Sequence, residues 1–244
     1  MKKKLLITGA SSGVGLSLAK YLSKRFHVIA IARRINKLKK IFLDNKNVST
    51  YRIDLADYNC LNEVIDNIIK EHGYIPYLIN NAGININFSI ENLSKENLEN
   101  SFYVNAIAPF ILLKKLIIYM ERNNFGRIIN ITSGAPLNCS ENYAAYSASK
   151  AALNALTVTA AKEYRDYNIK INLMSPGPVR TEMAPQALLD PSVCHSTVDY
   201  LLFLDEKGPT GKFFWLGYEV PLFPDLEGVN WLEGIGNKKL RKIL

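Results

Sequence analysis

The chain has 244 residues, 48% hydrophobic and 21% charged, a make-up that supports a sizeable core and excludes wholesale disorder. Thirty basic against 22 acidic side chains leave a net charge of +8, but the basic residues are scattered and no recognition motif accompanies them, so no nucleic-acid partner is expected. Cys60, Cys139 and Cys194, like His27, His72 and His195, stand far apart without metal-ligand spacing; no metal site is expected, and unpaired thiols fit a reducing, cytoplasmic location.

Taken in order, the chain opens with Met1-Lys-Lys-Lys, like a signal peptide. The apolar stretch that follows, residues 5–7, is far too short for one and reads as a first strand. Further strand-like runs lie at 28–32, 48–53, 77–79, 128–131 and 169–173. Helical spacing of apolar residues marks 13–24, 37–43, 61–71, 95–120 and 143–165. No apolar run approaches the roughly 18 residues of a membrane span. The longest, 106–113, is broken by Pro109 and followed by Lys114 and Lys115. Strand and helix alternate about five times, which predicts a doubly wound α/β fold with a mostly parallel sheet of about seven strands and helices on both faces. One domain over 1–244 is expected, with a helical lid over about 181–207 and a C-terminal extension over about 224–244.

Directly after the first strand comes Thr8-Gly9-Ala10-Ser11-Ser12-Gly13-Val14-Gly15. Glycines here permit a tight turn and close approach of a phosphate, and the following helix presents free N–H groups and a positive dipole end. The Gly-x3-Gly-x-Gly spacing departs from the commoner Gly-x-Gly-x-x-Gly of dinucleotide sites. The second strand ends in Arg33-Arg34 with no carboxylate close by in sequence. A carboxylate there would hold a ribose 2′-hydroxyl, whereas arginine pairs with a 2′-phosphate. The expected cofactor is therefore NADP(H) rather than NAD(H).

Tyr146 and Lys150 lie four residues apart on one helical face. A neighbouring ammonium is expected to lower the tyrosine pKa and fit it for proton transfer to or from a substrate oxygen. Ser133, 13 residues earlier at the end of the fifth strand, carries a hydroxyl able to stabilise charge on that oxygen.

With these residues in order, the chain resembles the short-chain dehydrogenase/reductase family in its compact single-domain form. Thr8 to Gly15 is similar to the family's TGxxxGxG, and Asp54, with Leu55, follows the third strand where the family contacts adenine. Asn80-Asn81-Ala82-Gly83 is similar to its NNAG motif. Asn105, Ser133, Tyr146 and Lys150 are similar to its catalytic tetrad, and Pro176-Gly177-Pro178-Val179-Arg180-Thr181 to its cofactor-closing segment. The resemblance covers about three quarters of the chain. It implies a Rossmann-like fold and an NADP(H)-dependent oxidoreductase that interconverts a carbonyl and an alcohol by hydride transfer, with Tyr146 as general acid/base. It further implies that Lys150 binds the nicotinamide ribose and that Asn105 holds a water behind Lys150. The cofactor would be held by Gly9, Ser11, Ser12, Gly13, Val14, Gly15, Arg33, Arg34, Asp54, Leu55, Asn81, Ala82, Gly83, Tyr146, Lys150, Pro176, Gly177, Val179 and Thr181.

Beyond Thr181 the resemblance thins. Gly208-Pro-Thr-Gly211 onward departs from the family's usual ending and is closer to carbonyl-reductase-like members, leaving a dimer, a tetramer and a monomer all open. The tail with Trp231, Leu232 and Lys238 reads as an extension. Met183, Ala184, Leu188 and Leu189, with His195, Tyr200 and Phe203, the loop after Asn87 and residues 135–138, are expected to shape the substrate site. Their apolar character, with only Arg180 to clamp a carboxylate, points to an uncharged or weakly polar small-molecule carbonyl or alcohol. Two other functions are compatible with this fold: a cofactor-sensing regulatory protein with little turnover, and a sugar epimerase or dehydratase. Sensing needs no acid/base pair, and the chain has no room for an added sugar-binding domain.

Overall fold

Short apolar strands separated by amphipathic helices build one sheet in a computed structural model that describes residues 2–223; the expected extension over 224–244, with Trp231, Leu232 and Lys238, lies outside the described residues. In chain order the elements are β1 (Lys4–Thr8), α1 (Gly13–Leu22), β2 (His27–Ala32), α2 (Ile35–Ile41), β3 (Val48–Arg52), α3 (Tyr58–His72), β4 (Tyr77–Asn80), α4 (Lys95–Phe102), α5 (Ala108–Arg122), β5 (Gly126–Ile131), α6 (Ala135–Asn138), α7 (Ala144–Glu163), β6 (Ile169–Ser175), α8 (His195–Leu202), β7 (Phe213–Trp215) and β8 (Tyr218–Val220). The strands lie in the order β3-β2-β1-β4-β5-β6-β7-β8. β1 to β7 pair in parallel, with Leu5 opposite both Val28 and Tyr77, and β8 closes the edge antiparallel.

The central strands β1, β2, β4, β5 and β6 are buried on both faces because both faces are covered. On β1, Leu5 and Ile7 join a core with Leu18 and Leu22 of α1 and Val198 and Leu201 of α8. Leu6 joins the opposite core with Ile65 and Ile68 of α3 and Leu112 and Leu116 of α5. The strand order reverses at β1/β4, and in such sheets the crevice beyond the strand C-termini is where ligands bind.

Two features differ from the sequence reading. The sheet has eight strands rather than about seven: β7 and β8 form a hairpin through Leu216 and Gly217, at φ 45° and 87°. That pair of positive φ values suits a two-residue turn between twisted strands. The second difference concerns the 95–120 helix. It runs from Lys95 to Arg122 without interruption, and an 18-residue stretch of it has a mean hydropathy of 1.5; 61% of that stretch is buried inside the fold, as in a core helix. Pro109 does not break it, because a π turn over Tyr103–Ile107 precedes it and places the proline in the first turn of α5, where a missing N–H is tolerated.

Candidate active site

A cleft of about 1180 Å³ opens across the C-terminal ends of the strands. Its floor at the β1 end is held by Thr8, whose buried hydroxyl accepts hydrogen bonds from the N–H groups of Asn81 and Ala82, both at 3.0 Å. The Asn81 amide in turn donates to the Thr8 carbonyl at 2.9 Å. These bonds lock the loop after β4 against the glycine turn after β1. Gly15 permits the approach: a Cβ there would lie 2.4 Å from both Asn81 Nδ2 and the Gly9 carbonyl oxygen. α1 then begins at Gly13, and among the described residues no side chain caps its first turn. Its free N–H groups therefore face the cleft, a setting suited to an anion.

At the outer end of the cleft Arg33 and Arg34 follow β2, and a side groove of about 480 Å³ is lined by Arg33, Arg34, Lys37 and Arg52. Arg52 arrives because β3 pairs with β2 in register, Ala32 opposite Arg52. Arg34 donates to the Ser12 hydroxyl at 2.8 Å and to Glu182 Oε2 at 2.7 Å, while Lys37 donates to Glu182 Oε1 at 2.9 Å. Hydrogen bonds first from Arg34 and then from Lys37 hold the Glu182 carboxyl down to about 2. No carboxylate lies near the arginines in sequence, but the fold brings one to them on the segment after Thr181.

At the inner end, α7 carries Tyr146 and Lys150 into the cleft, and Ser133 and Gly83 line the same wall. The Lys150 ammonium donates to the Ile131 carbonyl at 2.8 Å and sits 6.0 Å from the Tyr146 ring centre. Full burial pushes its pKa down to about 8. Tyr146 is pushed upward: burial raises the phenol more than hydrogen bonding from Ser133 lowers it, and Tyr143 raises it further. This corrects the expectation of a lowered tyrosine, because the price of burying a phenolate exceeds what its neighbours return. Asn105 lies in the π turn, fully buried beneath this wall rather than lining the cleft. Its side chain accepts from the Ile84 N–H and donates to the Ile84 carbonyl, both at 2.9 Å, and to Ser149 Oγ at 3.0 Å. A Cβ on Gly83 would stand 3.1 Å from Asn105 Oδ1 and 3.4 Å from Lys150 Nζ.

Of the other residues singled out in the sequence, Gly9, Ser11, Ser12, Gly13, Val14, Asp54, Leu55, Asn81, Ala82, Pro176, Gly177, Val179 and Thr181 line the cleft, and Gly15 lies behind it. The substrate-end expectations fare unevenly. Met183, Ala184, Ala135, Leu137 and Asn138 line the cleft, whereas Leu188, Leu189, His195, Tyr200, Phe203 and Arg180 do not. His195 stacks on Tyr21 of α1 at 4.1 Å and bonds Ser17 Oγ at 2.9 Å, and Leu188 is exposed. α8 thus buries Thr197, Val198, Leu201 and Leu202 against the core, so its outer residues point away from the site. The loop contribution comes from Ile84 and Asn85, before Asn87 rather than after it. Tyr143, at the start of α7, and Phe213, Trp215 and Val220 also line the cleft; the last three have no sequence signal, since β7 and β8 are too short to show a periodicity.

A family model for short chain dehydrogenases matches residues 3–191. L-xylulose reductase of Caenorhabditis elegans is 34% identical over 193 residues, covering 78% of this chain and 76% of that protein. 2,3-dihydro-2,3-dihydroxybenzoate dehydrogenase of Bacillus subtilis is 32% identical over 186 residues, covering 74% and 71%. Among solved structures, 4-hydroxyisoleucine dehydrogenase complexed with NADH is similar with a TM-score of 0.84 at 30% identity, covering 88% of this chain and 97% of that one. ElxO with NADP bound gives 0.81 at 28% identity, covering 89% and 98%. With its ordered motifs, its sheet order and these likenesses in agreement, the chain belongs to the short-chain dehydrogenase family.

Proposed function

We propose that the protein is an NADP(H)-dependent oxidoreductase that reduces an uncharged or weakly polar carbonyl to an alcohol. The observation that carries the reading is the inner wall of the cleft, where Ser133, Tyr146 and Lys150 converge on one space with Asn105 locked behind them. The cleft suits a dinucleotide on its own evidence: a bare helix N-terminus at one point for a diphosphate, and a basic groove at its outer end for a further phosphate. Ser11, Ser12, Gly13 and Val14 would hold the diphosphate, Asp54 and Leu55 would flank the adenine, and Pro176, Gly177, Val179 and Thr181 would close over the nicotinamide end. The bound cofactor would supply the hydride.

Tyr146 keeps its proton at neutral pH, since burial raises it, and so is ready to donate to a carbonyl oxygen. Ser133 would hydrogen-bond the same oxygen and stabilise charge developing there. The Lys150 ammonium, charged below about 8, would fix the cofactor ribose and relay a proton towards Tyr146, with Asn105 positioning the water behind it. The same groups serve alcohol oxidation in reverse; the NADP(H) reading supports reduction as the working direction, because cells usually keep that pool reduced. Leu137, Tyr143, Met183 and Trp215 give the substrate end an apolar and aromatic wall, which supports an uncharged substrate.

Free thiols at Cys60, Cys139 and Cys194 support a reducing, cytoplasmic setting. Phe110 and Ile118 on α5 and Leu156 on α7 are exposed apolar side chains on neighbouring helices, which supports a homo-oligomer. The cofactor reading is tested by fluorescence titration with NADPH and NADH in parallel. NADPH is expected to bind at least about tenfold tighter, a difference of roughly 1.4 kcal/mol, and the Arg33→Ala, Arg34→Ala double variant is expected to lose that margin. A double variant that keeps the wild-type preference sinks the reading.

A further inference from the structure

Glu182 engages two of the four cations, Arg34 and Lys37, that line the basic groove with Arg33 and Arg52. Its two carboxylate oxygens are taken by two different cations, Oε2 by Arg34 at 2.7 Å and Oε1 by Lys37 at 2.9 Å. The same Arg34 Nη2 also holds Ser12 Oγ at 2.8 Å. Ser12 sits at the start of α1, and Arg34 and Lys37 line the groove at the end of β2. A phosphate arriving on this set would meet the donors already engaged and a negative charge in their midst. Glu182 lies 148 positions from Arg34 in sequence and follows Thr181 directly. It precedes Met183 and Ala184, which line the cleft itself. The anion-binding end and the segment that walls the substrate end are thereby joined by one side chain.

We infer that Glu182 is a specificity-determining residue, an internal anion that occupies the 2′-phosphate position of the site and is displaced when NADP(H) binds. This rests on the NADP(H) reading above. Two consequences follow. The carboxylate weakens binding of the 2′-phosphorylated cofactor and not of the unphosphorylated one, so it narrows the preference that Arg33 and Arg34 create. Its release also frees the residues after Thr181 from the groove at the moment the cofactor arrives, linking cofactor occupancy to the position of Met183 and Ala184.

The test is a titration of NADPH and NADH against the wild type, Glu182→Ala, Arg34→Ala and the double variant, at one fixed low ionic strength. Glu182→Ala is expected to raise the NADPH-to-NADH affinity ratio by roughly two- to thirtyfold, the range given by losing two exposed ion pairs. Arg34→Ala is expected to lower the ratio, and Glu182→Ala added to it to have a much smaller effect. A ratio unchanged or lowered by Glu182→Ala, with Arg34→Ala still lowering it, overturns the role of Glu182 and leaves the cofactor reading standing. A ratio that Arg34→Ala leaves unchanged overturns the role of Glu182, and one that the Arg33→Ala, Arg34→Ala double variant also leaves unchanged overturns the cofactor reading with it.

Discussion

Lys150 is held charged in a place that favours its neutral form, and the resulting free energy depends on pH. Burial pushes its pKa from 10.5 down to about 8, a penalty of roughly 3 kcal/mol on the charged form. The lowered value means that between about 8 and 10.5 the unfolded chain binds more protons than the folded one, so stability from this group rises with pH across that window. Below about 8 both states are protonated and the full penalty applies. Lys150→Met removes the charge while keeping most of the volume. The lost hydrogen bond to the Ile131 carbonyl enters as an offset of about 1 kcal/mol that does not vary with pH. Urea unfolding of both proteins from pH 7 to pH 10 therefore isolates the ionisation. The wild type is expected to gain roughly 2–3 kcal/mol on the variant over that range, and turnover of the variant is expected to be lost throughout. A stability difference that stays flat with pH, or moves the other way, refutes the claim that Lys150 is desolvated.

Three further outcomes are expected. Tyr146→Phe keeps cofactor affinity within about twofold and lowers kcat by roughly 100-fold or more, the usual scale of a lost general acid; single-turnover assays at wild-type rates would reject Tyr146 as the proton donor. Carbonyl reduction falls as pH rises through about 8, where Lys150 loses its proton, and alcohol oxidation rises over the same range; a pH–rate profile flat from 7 to 9.5 in both directions would contradict this. Asn105→Ala leaves the Ile84 N–H and carbonyl without their partner and is expected to cost about 2–4 kcal/mol in denaturant unfolding, with a change below about 0.5 kcal/mol counting against the anchoring role.

The fold and the family were legible because their signals are local. Glycines in Thr8 to Gly15, the Tyr146/Lys150 spacing and the alternation of strands with helices each fit within a few turns of chain. What escaped the sequence depends on distant segments meeting. Glu182 reaches Arg34 only through the crevice at the end of the sheet, so no window of sequence could pair them. The Tyr146 shift runs against the expected direction because a neighbour at i+4 can be read from sequence and the depth of burial cannot. His195 and Tyr200 were assigned to the substrate site on chain position alone, and the packing of α8 on α1 turns them elsewhere. The π turn at Asn105 leaves no trace in a 3.6-residue periodicity, since the extra residue shifts the pattern once and the pattern then resumes.

That π turn has a consequence for how this protein can lose activity. Ala108 N–H reaches back five residues to the Tyr103 carbonyl, so the turn holds one residue more than an α-helix needs, and the helices on either side run out of phase by about 100°. Ser101 of α4 and Leu112 and Leu116 of α5 are each buried in their own phase. Deleting one residue between 103 and 107 would merge the two phases into a single regular helix with better hydrogen-bond geometry and would turn Asn105 away from Ile84. A shortening of this kind would also rotate α5 against α4 and pull either Ser101 or Leu112 and Leu116 out of their buried phase, so the gain in regularity would cost the packing and the site together.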